Sequence, residues 1–259
     1  MKRVKLIVAY DGTNYCGWQV QPNGLSVQEV LNRCLKELLK EDISVIGASR
    51  TDAGVHALGN VCVFDTASRM PAEKISYALN TYLPADIRVQ DSCQVPENFH
   101  PRFQSTIKTY EYRILNRRFP DPTRRLYSFF CYYPLDVEKM RQGASCLVGE
   151  HDFRSFSTAK PGVENTVRKI YALEVSRSPD DMITIRITGN GFLYNMVRII
   201  AGTLLRVGSG ACPPEYVREI LEARDRGMAG ETARPEGLTL VEIRYPEWEG
   251  AIAAQNLEN

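Results

Sequence analysis

The stretch Ser49-Arg50-Thr51-Asp52-Ala53-Gly54-Val55-His56 sets one carboxylate among small neighbours, beside a glycine that tolerates a positive φ angle. A carboxylate so placed has room for a substrate and could act as a nucleophile, or it could simply bond its own backbone as an Asx-turn. Arg50 could pair with a surface acid, and His56 could cap a strand end. Much later in the chain, Arg198 stands among Tyr194, Val197, Ile199, Ile200, Ala201 and Gly202. A guanidinium in that company either meets a carboxylate or snorkels to solvent. Asp52 is a candidate counter-charge, and such a pairing would hold it ionised as a nucleophile must be.

Local patterning shows which elements must position these groups. Residues 5–10 form an apolar run ending at Asp11-Gly12, as a strand buried on both faces would look. Ser26 and Glu29 make a capping box before Val27, Val30, Leu31, Cys34, Leu35, Leu38 and Leu39, whose spacing predicts an amphipathic helix. Strands follow over 43–48 and 60–64, joined by the Asp52 loop, then a helix over 72–82 and a strand over 87–90. The order βαββαβ is the split βαβ arrangement, two helices on one face of an antiparallel sheet. The second half repeats it loosely, with strands over 109–115, 169–175 and 182–188, helices over 137–147, 192–207 and 215–223, and a last strand over 238–245. Ile183, Ile185 and Ile187 alternate with Thr184, Arg186 and Thr188, so one face of that strand is buried and one is wet. The expected fold is therefore α+β, two ferredoxin-like halves sharing a mostly antiparallel mixed sheet with a central cleft. The expected boundaries are 1–105, 106–246 and a frayed tail over 247–259.

Composition removes several classes of function. At 259 residues, 44% hydrophobic and 24% charged, the chain is long enough for a sizeable core and far from the disordered regime. Its seven cysteines are odd in number and include no C-x-x-C, which suggests reduced thiols and a cytoplasmic setting, with Cys34 and Cys62 as buried small hydrophobes. The apolar run at the N-terminus is too short for a signal peptide, and residues 192–207 carry Arg198 and Arg206, so no membrane association is expected. Three histidines without ligand spacing argue against zinc or another metal, and no phosphate-binding glycine motif argues for a nucleotide cofactor. The net charge of +1 hides a basic segment, with Arg102, Lys108, Arg113, Arg117, Arg118, Arg124 and Arg125 against Glu111 and Asp121. Phe103, Tyr110, Tyr112 and Phe119 are interleaved with it, which suits phosphate contact plus base stacking as well as an ordinary solvated face. Tyr110 and Tyr112 share one face of a strand, where the alternatives are cross-strand packing and stacking on a base.

Several spaced motifs carry a resemblance to a known family. Arg50 to Ala57 resembles the signature loop of the tRNA pseudouridine synthase A family. Tyr10-Asp11-Gly12-Thr13 with Gly17-Trp18-Gln19, Phe99-His100-Pro101-Arg102 with Lys108-Thr109-Tyr110-Glu111-Tyr112, Asp152-Phe153 with Ser155-Phe156, Met196-Val197-Arg198 with Gly202, and Gly237-Leu238-Thr239-Leu240 follow in the family's order. The resemblance spans about residues 5–245 and departs at Ser49, where the family usually has glycine, and at Pro101, where it usually has alanine. Because Pro101 bears on how Arg102 is presented, Arg102 is left out of the expected site. The resemblance implies a pseudouridine synthase fold and a cytoplasmic, cofactor-free and metal-free homodimer. It implies an isomerase that converts uridine to pseudouridine at positions 38, 39 and 40 of the tRNA anticodon stem-loop. On it, Asp52 is the nucleophile, Tyr110 contacts the target base, Arg50 helps flip the nucleotide and Arg198 pairs with Asp52. The alternative is a non-catalytic tRNA-binding or folding protein, which the basic segment alone would also suit.

Overall fold

The computed structural model describes residues 1–158 and 165–248, so the tail expected over 247–259 lies outside the described residues from 249 onward. The chain divides into two compact units, Met1–Thr106 with Leu240–Asn259, and Ile107–Thr239. The pairing is α+β in character and mostly antiparallel.

The first unit runs β1 (Lys2–Tyr10), α1 (Val27–Leu39), β2 (Ile46–Gly47), β3 (His56–Thr66), α2 (Ala72–Leu79) and β4 (Ile87–Val95). Its strands lie in the order β4-β1-β3, with β2 on β3, every pair antiparallel. This is the split βαβ order expected from sequence. The Ser26 side chain accepts the Glu29 N–H at the start of α1, so the cap is formed as its pattern predicts.

Two expectations need correction here. Val4, Leu6, Val8 and Tyr10 are buried in β1 while Lys5, Ile7 and Ala9 are only half-buried, so one face of the strand is sealed rather than both. The strand expected over 43–48 shrinks to Ile46–Gly47. Its missing ladder bonds are made by α1 instead: Asn32 Oδ1 accepts the Val45 N–H at 2.9 Å, and Gln28 Nε2 donates to the Val45 carbonyl at 2.8 Å. Side-chain amides thus satisfy the backbone that a strand partner would otherwise take.

Arg3 and Asp65 face each other across β1 and β3 in a two-pronged pair at 2.8 and 2.7 Å. The Arg3 hydrogen bonds outweigh partial burial and hold the Asp65 carboxyl below its usual pKa. A lowered folded-state pKa contributes stability above the unfolded value of about 4 that is lost as pH falls through the folded one. Asp65 is 41% exposed in its side chain, so screening limits the effect to about 1 kcal/mol or less. Urea unfolding of Asp65→Asn should show that deficit at pH 7 and none near pH 2; an equal deficit at both would contradict the pairing.

In the second unit come β5 (Ile107–Asn116), β6 (Phe129–Cys131), α3 (Val137–Ser145), β7 (Gly149–Asp152), β8 (Val167–Arg177), β9 (Met182–Gly189), α4 (Met196–Gly208) and α5 (Tyr216–Ala223). The last strand, β10 (Leu238–Arg244), crosses the division between the units. The order β5-β9-β8 repeats the order β1-β3-β2, and β7 is added at the edge. Ile183, Ile185 and Ile187 are buried and their alternates half-exposed, as the spacing predicts. The short strands β6 and β7 have no counterpart in the sequence expectation; β6 joins β5 in parallel. Helix α4 begins at Met196, four residues later than expected, because its N-cap Asn195 is left-handed, with φ 61°, and breaks the helical path. All seven cysteines are free, with Cys34 and Cys62 buried. Among the described residues no helix is long and apolar enough to cross a membrane, and none of their His, Cys, Asp and Glu side chains cluster as a metal site would require.

Candidate active site

Asp52 sits half-exposed between buried Thr51 and exposed Ala53. Gly54 does adopt a positive φ, 77°. The Asx-turn alternative does not fit, because the Gly54 N–H it would use donates to the Tyr15 carbonyl at 3.3 Å. The backbone closes instead through the Val55 N–H on the Asp52 carbonyl at 3.1 Å. The loop is thus shaped by main-chain bonds that do not need the Asp52 carboxylate.

Two strands hook the loop from beneath. Val8 of β1 stands opposite Asn60 of β3, and Tyr10 opposite Ala57, with one extra β3 residue bulged between the two pairings. Asn60, fully buried, donates from Nδ2 to the Ser49 carbonyl at 3.1 Å and to the Tyr10 hydroxyl at 3.2 Å. The Tyr10 hydroxyl lies 2.7 Å from Thr51 Oγ1. Ser49 and Thr51 are therefore both held from the interior, on either side of Arg50. From above, the Trp18 N–H donates to the Thr51 carbonyl at 3.1 Å. Gly17 makes that approach possible: its φ is 103°, and a Cβ there would fall 2.5 Å from the Thr51 oxygen.

Arg50 is exposed and, among the described residues, makes no hydrogen bond or ion pair, so its guanidinium is available to a substrate. His56 is structural. Its Nδ1 is 3.1 Å from the Gly12 N–H and 3.2 Å from Asp11 Oδ1, and it can serve one of them at a time, as acceptor or as donor.

Tyr110 and Arg198 belong to the second unit. Tyr110 is buried on β5, packed edge-on against Phe192 with centroids 5.3 Å apart. Arg198, in the first turn of α4, is half-buried; its Nε donates to the Ala233 carbonyl at 2.7 Å and Nη1 to Asn195 Oδ1 at 3.1 Å. The Ala233 N–H returns a bond to the Arg198 carbonyl at 3.1 Å. These carbonyl and amide partners were not foreseen. The neighbouring carbonyl, of Arg234, takes the hydroxyl of Tyr112, whose pKa is driven up by burial first and is pulled back in part by Arg198. The segment 233–234 thus orients Arg198 and Tyr112 together.

Sequence reasoning also set aside Arg102. Its Nε donates to the Gly47 carbonyl at 2.7 Å, and its pKa is lowered by burial and then by Arg50, which places the two guanidiniums in one field. Their separation in sequence concealed this, although the basic segment that begins at Arg102 was the available signal.

Comparison with known proteins agrees with these motifs. A family model described as tRNA pseudouridine synthase matches residues 6–104 and 144–246. The chain is 48% identical over 245 residues to the tRNA pseudouridine synthase A of Thermoanaerobacter sp. (strain X514), covering 95% of this chain and 100% of that one. It is 47% identical to that of Ruminiclostridium cellulolyticum, again over 95% and 100%, and 46% identical to that of Myxococcus xanthus, over 95% and 92%. Among solved structures, the archaeal box H/ACA sRNP Nop10-Cbf5 complex is similar at a TM-score of 0.34 and 12% identity, across 92% of this chain and less than half (46%) of that one. With the family model matched over most of the chain and relatives matched from end to end, this chain belongs to the tRNA pseudouridine synthase family.

Proposed function

We propose that the protein isomerises uridine to pseudouridine at positions 38, 39 and 40 of the tRNA anticodon stem-loop, as a homodimer, with Asp52 as the nucleophile. The observation that carries the reading is the Asp52 loop: a half-exposed carboxylate on a backbone pinned at Ser49, Thr51 and Gly54. Pinning of that kind keeps a reacting group near its productive geometry. The reaction breaks the bond from C1′ to N1, turns the uracil and joins C1′ to C5; N1 gains a proton and the C5 hydrogen leaves to solvent. Arg50, exposed two residues from Asp52, helps draw the nucleotide out of its stack. Tyr110 contacts the target base and Arg198 provides a counter-charge for Asp52. Release of tritium from C5-labelled uridine in tRNA tests the reading; tRNA binding with no release would replace it by a binding role.

The basic segment supports the choice of a nucleic acid, in a narrower form than its charge count suggests. Arg113 is paired with Glu111 at 3.0 Å, and Arg124 with Asp180 at 2.7 Å. Arg117, Arg118 and Arg125 stay exposed, Arg118 over the Phe119 ring at 5.0 Å. Phosphate neutralisation by these three makes binding fall with salt by about 0.7–0.9 in log–log slope per contact. Replacing each with Ala should flatten the slope by roughly that amount, and an unchanged slope in the triple variant would place the phosphate contacts elsewhere.

A further inference from the structure

We propose that Phe103 stacked on His100, with the guanidiniums of Arg102 and Arg50 beside it, forms a subsite for one unpaired base of the bound RNA and its phosphate, adjoining the Asp52 loop. The proposal rests on the reading of the substrate as tRNA and adds to it a place where a second nucleotide is held.

Phe103 is 81% exposed, yet its ring is not isolated. One face lies on the His100 imidazole, with centroids 4.1 Å apart and 18° between planes, which leaves the other face flat and open. The segment that carries it is rigidly held within the first unit. The Pro101 carbonyl accepts the Tyr245 hydroxyl at 3.0 Å, Gln104 Oε1 accepts the Trp248 indole N–H at 3.1 Å, and the Arg102 N–H donates to His100 Nδ1 at 3.2 Å. Beneath it Phe99 is fully buried, edge-on to Tyr245 at 5.1 Å and to Trp248 at 5.2 Å. A base that lands on Phe103 therefore meets a surface already ordered, and little entropy is lost in arranging it.

The charges beside the shelf select the ligand. Arg102 and Arg50 are near enough to depress the Arg102 pKa, and neither has a carboxylate partner among the described residues. Two like charges held together without an acid suit an anion supplied from outside, and a guanidinium fork matches phosphate geometry. His100 loses basicity through burial and then through Arg102 and Arg3, so the ring under Phe103 is neutral at neutral pH and adds stacking rather than a third charge. A flat π-face next to phosphate-binding cations is how single-stranded nucleic acid is held without reading its sequence. Arg50 is two residues from Asp52, so the occupant is a nucleotide close to the target uridine along the strand.

The test uses the full chain and anticodon stem-loops carrying 2-aminopurine at one loop position at a time. With the unaltered protein, one position should show strong quenching on binding. Phe103→Ala should abolish that quenching and weaken binding about tenfold, with an unchanged melting temperature because the side chain is exposed. Phe103→Tyr should restore both. Quenching that survives Phe103→Ala at every position, or binding within twofold of normal, overturns the subsite. If the unaltered protein forms pseudouridine while Phe103→Ala binds normally, only the subsite fails. If it neither forms pseudouridine nor binds tRNA, the functional reading fails and the subsite with it.

Discussion

Asp52→Asn should bind tRNA with near-normal affinity and form pseudouridine more slowly by on the order of 10⁴-fold or beyond, the scale on which removing a nucleophile acts. The substitution keeps shape and removes only the charge. None of the main-chain bonds that shape the loop uses the carboxylate: the Val55 N–H goes to the Asp52 carbonyl and the Gly54 N–H to Tyr15. The backbone of the loop should therefore keep its shape, and single-turnover tritium release should carry the main effect. Full release from Asp52→Asn would remove Asp52 from the chemistry, and loss of tRNA binding in step with activity would make it a binding residue instead.

Gly17→Ala is expected to have the second-largest effect, although Gly17 carries no functional group. A φ of 103° is strained for any L side chain, and the added Cβ would meet the Thr51 oxygen at 2.5 Å, well inside contact distance. Left-handed strain of about 1–2 kcal/mol and overpacking of about 1–3 kcal/mol together cost about 2–5 kcal/mol. Part of that cost is relieved by moving the loop away from Trp18, which breaks the bond to the Thr51 carbonyl and shifts the residue before Asp52. The expected signature is a lowered melting temperature together with a fall in kcat at 25 °C while tRNA affinity is kept. A variant with normal kcat and normal melting would show that the loop does not depend on this contact.

What the sequence conveys best here is local. The capping box at Ser26, the alternation along β9 and the βαββαβ order of the first unit are written in neighbouring residues, and each forms as its spacing predicts. What it conveys least is bonding between distant side chains and backbone. Nothing near Val45 announces that Gln28 and Asn32 take its two hydrogen bonds, so β2 looks longer in sequence than it is. The left-handed Asn195 that delays α4 resembles any other polar residue before an apolar run. The same division applies to the site. Asp52 and Arg50 stand out in one short motif, whereas the hooks at Tyr10 and Asn60 and the neighbouring Arg102 are reached only through the fold.

The β1–β3 pairing that brings Asn60 and Tyr10 beneath the loop also makes turnover a reporter of assembly. A strand zipped one residue out of step turns every one of its side chains to the opposite face of the sheet. Such a slip would withdraw Asn60 from Ser49 and Tyr10 from Thr51 at the same moment, leaving the Asp52 loop unsupported. A misaligned chain would then be inert rather than sluggish, and the active fraction of a refolded sample would count the molecules whose two strands have found their proper alignment.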